Sequence, residues 1–127
     1  MKAILLYIWQ LPQNLLGLIL RLIWKPEKEM IYKGVKYSFT QSFPSGISLG
    51  EYVILKRYPF NKYTWNSVKH EYGHTRQSVR YGWFYLLVIG LPSLLGNIYD
   101  RIFKKGSVWY YNQPWEKGAD KLGGVER

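Results

Sequence analysis

The chain has 127 residues, a net charge of +10 and no cysteine. That length gives one domain with a modest core, and the missing thiols exclude disulfides and thiolate metal sites. The positive balance points to an anionic partner, either lipid headgroups or nucleic acid. Aromatic residues make up 18%, including 12 Tyr and 6 Trp. Their apolar bodies and polar tips suit a membrane–water boundary as well as a core.

The first apolar block, "MKAILLYIWQLPQNLLGLILRLIW", lacks the small-residue cleavage site of a signal peptide. Its length is sufficient for a membrane helix, which needs about 20 residues. Gln10, Asn14, Gly17 and Arg21 recur in steps of three and four, which places them on one narrow stripe. A wide apolar face with a thin polar stripe predicts a membrane-associating helix over residues 1–25. It would lie in the interface or pack its stripe on protein; a buried core helix is the alternative. Pro12 should kink or divide it.

Alternation around Tyr32, Val35, Tyr37 and Phe39 predicts a strand. Ile47 to Lys56 predicts a second, broken near Gly50, with "FPSG" as the turn between them. The expectation is a β-hairpin over residues 30–58. A helix should follow over 66–82, capped by Asn66 or Ser67 and ended by Gly82.

A second apolar block, Trp83 to Tyr99, would span roughly 25 Å as a straight helix, short of a full crossing. Gly90, Pro92 and Gly96 interrupt it, so a re-entrant or interfacial hairpin over 83–100 is expected. In the tail, Pro114 suits a first helical turn and Gly123–Gly124 a stop. A short helix over 113–123 is therefore predicted. Lysines and arginines flank each apolar block, which by the positive-inside rule places the site on the cytoplasmic side.

The only two histidines, His70 and His74, flank Glu71 in "HEYGH", an H-E-x-x-H match. Residues four apart on a helix share a face one turn apart, so both imidazoles can bind one ion. Zinc takes neutral imidazole and favours four donors. Glu71 can reach an ion-activated water and take its proton. Gly73 inside the helix is explained if another segment passes close by. A helix with two solvent-facing histidines is the plain structural alternative.

A catalytic zinc needs a third protein donor and one open position. With no other His or Cys, that donor must be a carboxylate. Glu27, Glu29 and Glu51 read as surface charges, and Glu126 lies near a frayed end. Asp100 and Glu116 remain. "PWEKGADKLGG" places Glu116 and Asp120 four apart on one face. One of them can bind zinc while the other accepts a ring N–H from a zinc-bound histidine. An exposed helix, salt-bridged through Lys117 and Lys121, is the bland alternative.

HEYGH followed by E-x-x-x-D resembles the gluzincin, or thermolysin-type, metallopeptidases. The resemblance implies His70, His74 and Glu116 as zinc donors, Glu71 as general base and Asp120 as support for His70. It implies a minimal zincin-like α+β domain acting on a peptide or protein substrate, with Ile47 to Leu55 as the strand that pairs with extended substrate. The chain also resembles a set of small membrane-associated bacterial proteins of Bacteroides-like organisms, through HEYGHTxQS, YLLxxGLPS and WADKLGGV, with Gly118 here in place of the Trp. The gap from His74 to Glu116 is longer than in thermolysin, and no third histidine is present to stabilise an oxyanion. Tyr72, Tyr110, Tyr111 and Arg76 are the substitutes on offer. The first expectation is therefore a membrane-associated zinc metallopeptidase. The rival is a non-enzymatic membrane-surface protein with a structural or vestigial metal site. Nucleic-acid binding is disfavoured, because the positive residues are scattered and the apolar blocks favour lipid.

Overall fold

The computed structural model describes residues 2–41, 46–56 and 62–125. In chain order the elements are α1 (Lys2–Trp9), α2 (Leu11–Ile23), β1 (Lys28–Tyr32), β2 (Val35–Thr40), β3 (Gly46–Leu49), β4 (Tyr52–Lys56), α3 (Lys62–Tyr81), α4 (Leu91–Phe103), α5 (Ser107–Tyr111) and α6 (Pro114–Gly123). A 3-10 turn (Gly82–Phe84) and a π-wound turn (Leu86–Gly90) join α3 to α4. The fold is α+β.

The N-terminal block divides at Gln10, and α1 meets α2 at 88°. Pro12 has no N–H, so it cannot bond the carbonyl of Ile8 four residues back. That carbonyl instead accepts the Trp83 indole N–H at 2.7 Å. The Trp9 indole reciprocates by donating to the Val79 carbonyl at 2.6 Å. Gly82 permits this fit: its φ is +54°, and a Cβ there would enter the Trp9 ring.

The polar stripe of α2 faces inward. Ser78 Oγ donates to Gln10 Oε1 at 2.6 Å, and Gln13 Nε2 donates to Ser78 Oγ at 2.8 Å and to the Gly82 carbonyl at 2.9 Å. Asn14 Oδ1 accepts the Glu51 N–H at 2.7 Å, while Gly17 lies against Leu49 and Tyr52. Most leucines and isoleucines of both helices, among them Ile4, Leu5, Ile19, Leu22 and Ile23, are exposed. This is the inverse of a soluble amphipathic helix.

The expected single β-hairpin is corrected to two hairpins in one four-stranded sheet, order β1-β2-β4-β3. Lys33 and Gly34, with φ of 49° and 80°, close β1 on β2 as a type I′ turn does. Gly50, with φ of 67°, lies first in the two-residue loop joining β3 to β4. The two predicted strands therefore lie parallel, with Tyr37 beside Val53. The "FPSG" turn falls largely outside the described residues. Tyr37, Phe39, Val53, Leu55 and Val68 form the core between sheet and α3.

Helix α3 begins at Lys62 and not at the expected caps, so Asn66 and Ser67 lie inside it. The Trp65 ring, 6.0 Å from Tyr32 on β1, gives the extra turn a packing partner. Helix α3 ends at Tyr81, before the positive φ of Gly82. The expected hairpin over 83–100 is also corrected: Leu86–Phe103 runs as one continuous helical segment. The Leu91 N–H bonds the Leu86 carbonyl five residues back, and Pro92, which has no N–H to offer the preceding turn, follows directly on this wider π turn. Gly96 is not a break: it lies buried inside α4 and faces the Trp115 indole, which a Cβ there would meet at an ordinary 3.7 Å. Leu86–Phe103 is long and apolar enough to cross a membrane, and only 11% of it is buried. The chain then reverses through Lys104 (φ 53°) and Gly106 (φ 89°) into α5 and α6.

Candidate metal centre

Helices α3 and α6 pack backbone to backbone. A Cβ on Gly73 would lie 1.8 Å from the Ala119 carbonyl oxygen, and one on Gly123 would lie 1.9 Å from that of Lys69. Only glycine allows this approach, which accounts for Gly73 in the interior of a helix. It brings the HEYGH face of α3 onto the E-x-x-x-D face of α6.

Glu116 is fully buried and His70 and His74 are nearly so. Both imidazoles aim Nε2 at one oxygen, Glu116 Oε1, at 3.0 Å from His70 and 2.9 Å from His74. Their other nitrogens are engaged. His70 Nδ1 lies 2.7 Å from Asp120 Oδ1, and His74 Nδ1 lies 2.7 Å from Gln77 Oε1. The amide orientation of Gln77 is fixed because its Nε2 donates to the Trp115 carbonyl at 3.0 Å. With each Nδ1–H donated outward, both Nε2 lone pairs face a carboxylate oxygen. Three acceptors converge with no proton between them, an arrangement that only a cation or an added proton makes favourable.

One donor atom from each of these residues lies within 4.8 Å of the others, so His70, His74 and Glu116 can hold a metal ion. Ligand atoms on a tetrahedral ion with bonds of about 2.1 Å are about 3.4 Å apart, so a small outward adjustment suffices. Ser93 Oγ donates to Glu116 Oε2 at 2.7 Å. That leaves Oε1 alone facing the imidazoles. Glu71 stands on the cavity side of the cluster, buried, with Oε2 lacking a hydrogen-bond partner among the described residues.

The electrostatics agree with a site that requires positive charge. Burial alone would push the Glu116 carboxyl up, but the hydrogen bonds and charges of His70 and His74 hold it well below the ordinary carboxylate range. Burial opposes charge on His70, yet contacts with Asp120 and Glu116 and the charge of Glu71 push it up to about 9. In the metal-free cluster a proton on His70 thus supplies the missing positive charge. Burial raises the Glu71 carboxyl, and the neighbouring imidazoles offset this only in part.

The remaining candidates separate by position. Tyr110 lines the cavity beside Glu71, and its hydroxyl lies 3.2 Å from Ser93 Oγ. Tyr111 sets its ring edge-on to His70, centroids 5.1 Å apart. Tyr72 turns to the sheet, packing on Tyr32 and under Lys33 Nζ, and Arg76 is exposed. Asp100 accepts the Gly106 N–H at 2.6 Å and is not part of the cluster. Gln77 and Ser93 were not anticipated. Gln77 had a legible signal, three residues past His74 on the same helix face. Ser93 had a weaker one, as a lone hydroxyl within an apolar run. No family model, curated protein or solved structure matches the chain.

Proposed function

We propose that the protein is a zinc-dependent metallopeptidase resident on a membrane surface. The observation that carries this reading is the convergence of His70 Nε2, His74 Nε2 and Glu116 Oε1 at one buried point, with Glu71 beside it on a cavity wall, its Oε2 without a hydrogen-bond partner among the described residues. Two imidazoles and a carboxylate form a His₂Glu donor set, which leaves a fourth position open as catalytic zinc sites do. The residues of this chain satisfy that ion's needs: Asp120 and Gln77 hold the two ring tautomers, and Ser93 turns one oxygen of Glu116 inward.

A zinc ion held by His70, His74 and Glu116 would supply a Lewis acid able to polarise a carbonyl and lower the pKa of water. Glu71 Oε2 accepts the proton of the attacking water as its oxygen adds to the carbonyl carbon. The same carboxyl then delivers that proton to the nitrogen as the C–N bond breaks, leaving an amine and a carboxylic acid whose remaining proton, the second of the water, is lost to solvent. Strand β3 forms one edge of the sheet and contributes Gly46 to Leu49 to the cavity, which suits main-chain pairing with an extended substrate.

Membrane residence is supported by the inverted polarity of α2 and by the outward leucines and isoleucines of α1 and α4. Ser93, in the first half of α4, bonds Glu116 of the cluster. A fully crossing α4 would therefore draw the cluster into hydrocarbon. The apolar faces accordingly lie in the interface, with the site on the cytoplasmic side, where basic flanks are favoured. The direct test is Glu71→Gln: it should retain stoichiometric zinc and lose peptide hydrolysis by at least a hundredfold. Wild-type turnover by that variant would refute the mechanism.

A further inference from the structure

Two chambers of opposite character meet at the cluster. The larger, about 550 Å³, is in the range of ligand pockets. Its surface is mainly apolar, and leucines and isoleucines of α2, β3 and α4 contribute to the wall. Four of them, Leu16, Leu91, Leu94 and Ile98, are also exposed, so this chamber is continuous with the apolar outer surface. The smaller, about 170 Å³, is lined by His70, Asn97, Asp100 and Tyr111. Gly46, Glu71, Asn97 and Tyr110 border both. Glu71 therefore stands on the partition. A Cβ on Gly46 would meet the Leu55 side chain at 2.5 Å and Glu71 Oε1 at 3.3 Å, so glycine there lets the β3 backbone lie close against the Glu71 carboxylate.

Resting on the metallopeptidase reading, we infer that the substrate is a lipid-resident polypeptide, an apolar segment joined to a polar flank and cut where the two meet. An apolar segment that moves from lipid into the larger chamber stays out of water throughout. A polar flank placed there would lose its hydration and gain few partners. The smaller chamber offers that flank a carboxylate, an amide and two phenols. The scissile bond then lies at the partition, within reach of Glu71.

The test uses the full chain carrying Glu71→Gln, loaded with zinc, in vesicles of phosphatidylcholine and phosphatidylglycerol. The probe is a synthetic peptide with a leucine-rich half, a polar half and a benzophenone in the leucine-rich half. Photocrosslinks should map to β3 and α4, and the polar half alone should bind at least tenfold more weakly. Leu94→Arg, at an exposed position the fold tolerates, should weaken binding of the full peptide about tenfold. Equal binding of the polar half, crosslinks confined to other elements, or no effect of Leu94→Arg would each overturn the inference. Expected crosslinks without cleavage by the wild-type protein would leave the chamber assignment standing and remove the peptidase reading. Equally fast hydrolysis of soluble polar peptides would do the reverse.

Discussion

Gln77 meets His74 at the distance at which Asp120 meets His70, each 2.7 Å from a ring Nδ1. The two supports differ in charge. A carboxylate raises the basicity of its imidazole, whereas an amide oxygen only orients it. Replacing Gln77 with Ala should lower zinc affinity about 10- to 100-fold while α3 remains folded; competition against a chromophoric chelator measures it. His70 also predicts a pH dependence. Its folded value of about 9 exceeds the ordinary ~6.5, so its contribution to the metal-free fold is fully present below about 6.5. That contribution is lost as pH rises through about 9. Chelator-treated protein should therefore melt at a lower temperature at pH 9 than at pH 6.5. The same proton must leave before an ion enters, so zinc affinity should climb over that interval.

Between elements, the contact of α3 with α6 decides whether a site exists. Gly73→Ala forces a methyl into the Ala119 carbonyl, and overpacking of this kind costs about 1–3 kcal/mol. The variant should melt earlier and also lose zinc affinity, whereas Gly96→Ala, where a Cβ would make only an ordinary 3.7 Å contact with Trp115, should leave zinc affinity intact. Equal zinc affinity in the Gly73 variant would show that the two helices can separate without opening the cluster. This seam was legible in sequence, because HEYGH and E-x-x-x-D each present their chemistry on one helical face and a mid-helix glycine marks a close neighbour. The sheet was less legible. Lys33–Gly34 is a hairpin turn within a stretch that alternation made one strand, and Gly50 is a turn and not a bulge. Pairing partners depend on which edges meet, and periodicity carries no information on that. The continuity of Leu86–Phe103 was hidden for a related reason: Gly96 and Pro92 look like breaks until Trp115 and the π-wound turn show what they accommodate.

Across the whole molecule, polar groups gather inside and apolar ones face out along α1, α2 and α4. Gln10, Gln13, Asn14 and Ser78 form a buried hydrogen-bonded strip, while Leu22 and Ile102 are each 66% exposed. Patches of this extent mark interaction surfaces in soluble proteins, and the basic balance of the chain favours anionic lipid. Leu22→Lys combined with Ile19→Glu should reduce co-flotation with phosphatidylglycerol vesicles at least tenfold without altering zinc stoichiometry. Unchanged flotation would assign the surface to another partner.

The donors of the cluster come from points 46 residues apart, His70 and Glu116. An ion joining them acts as a reversible cross-link that closes a long loop in the unfolded chain. By the loop-entropy relation used for disulfides, a closure of that length is worth up to about 4 kcal/mol. For a small chain with a thin core this is a large share of its stability. Removing a bound ion would therefore loosen the architecture, and a metal-starved copy should be the more fragile one.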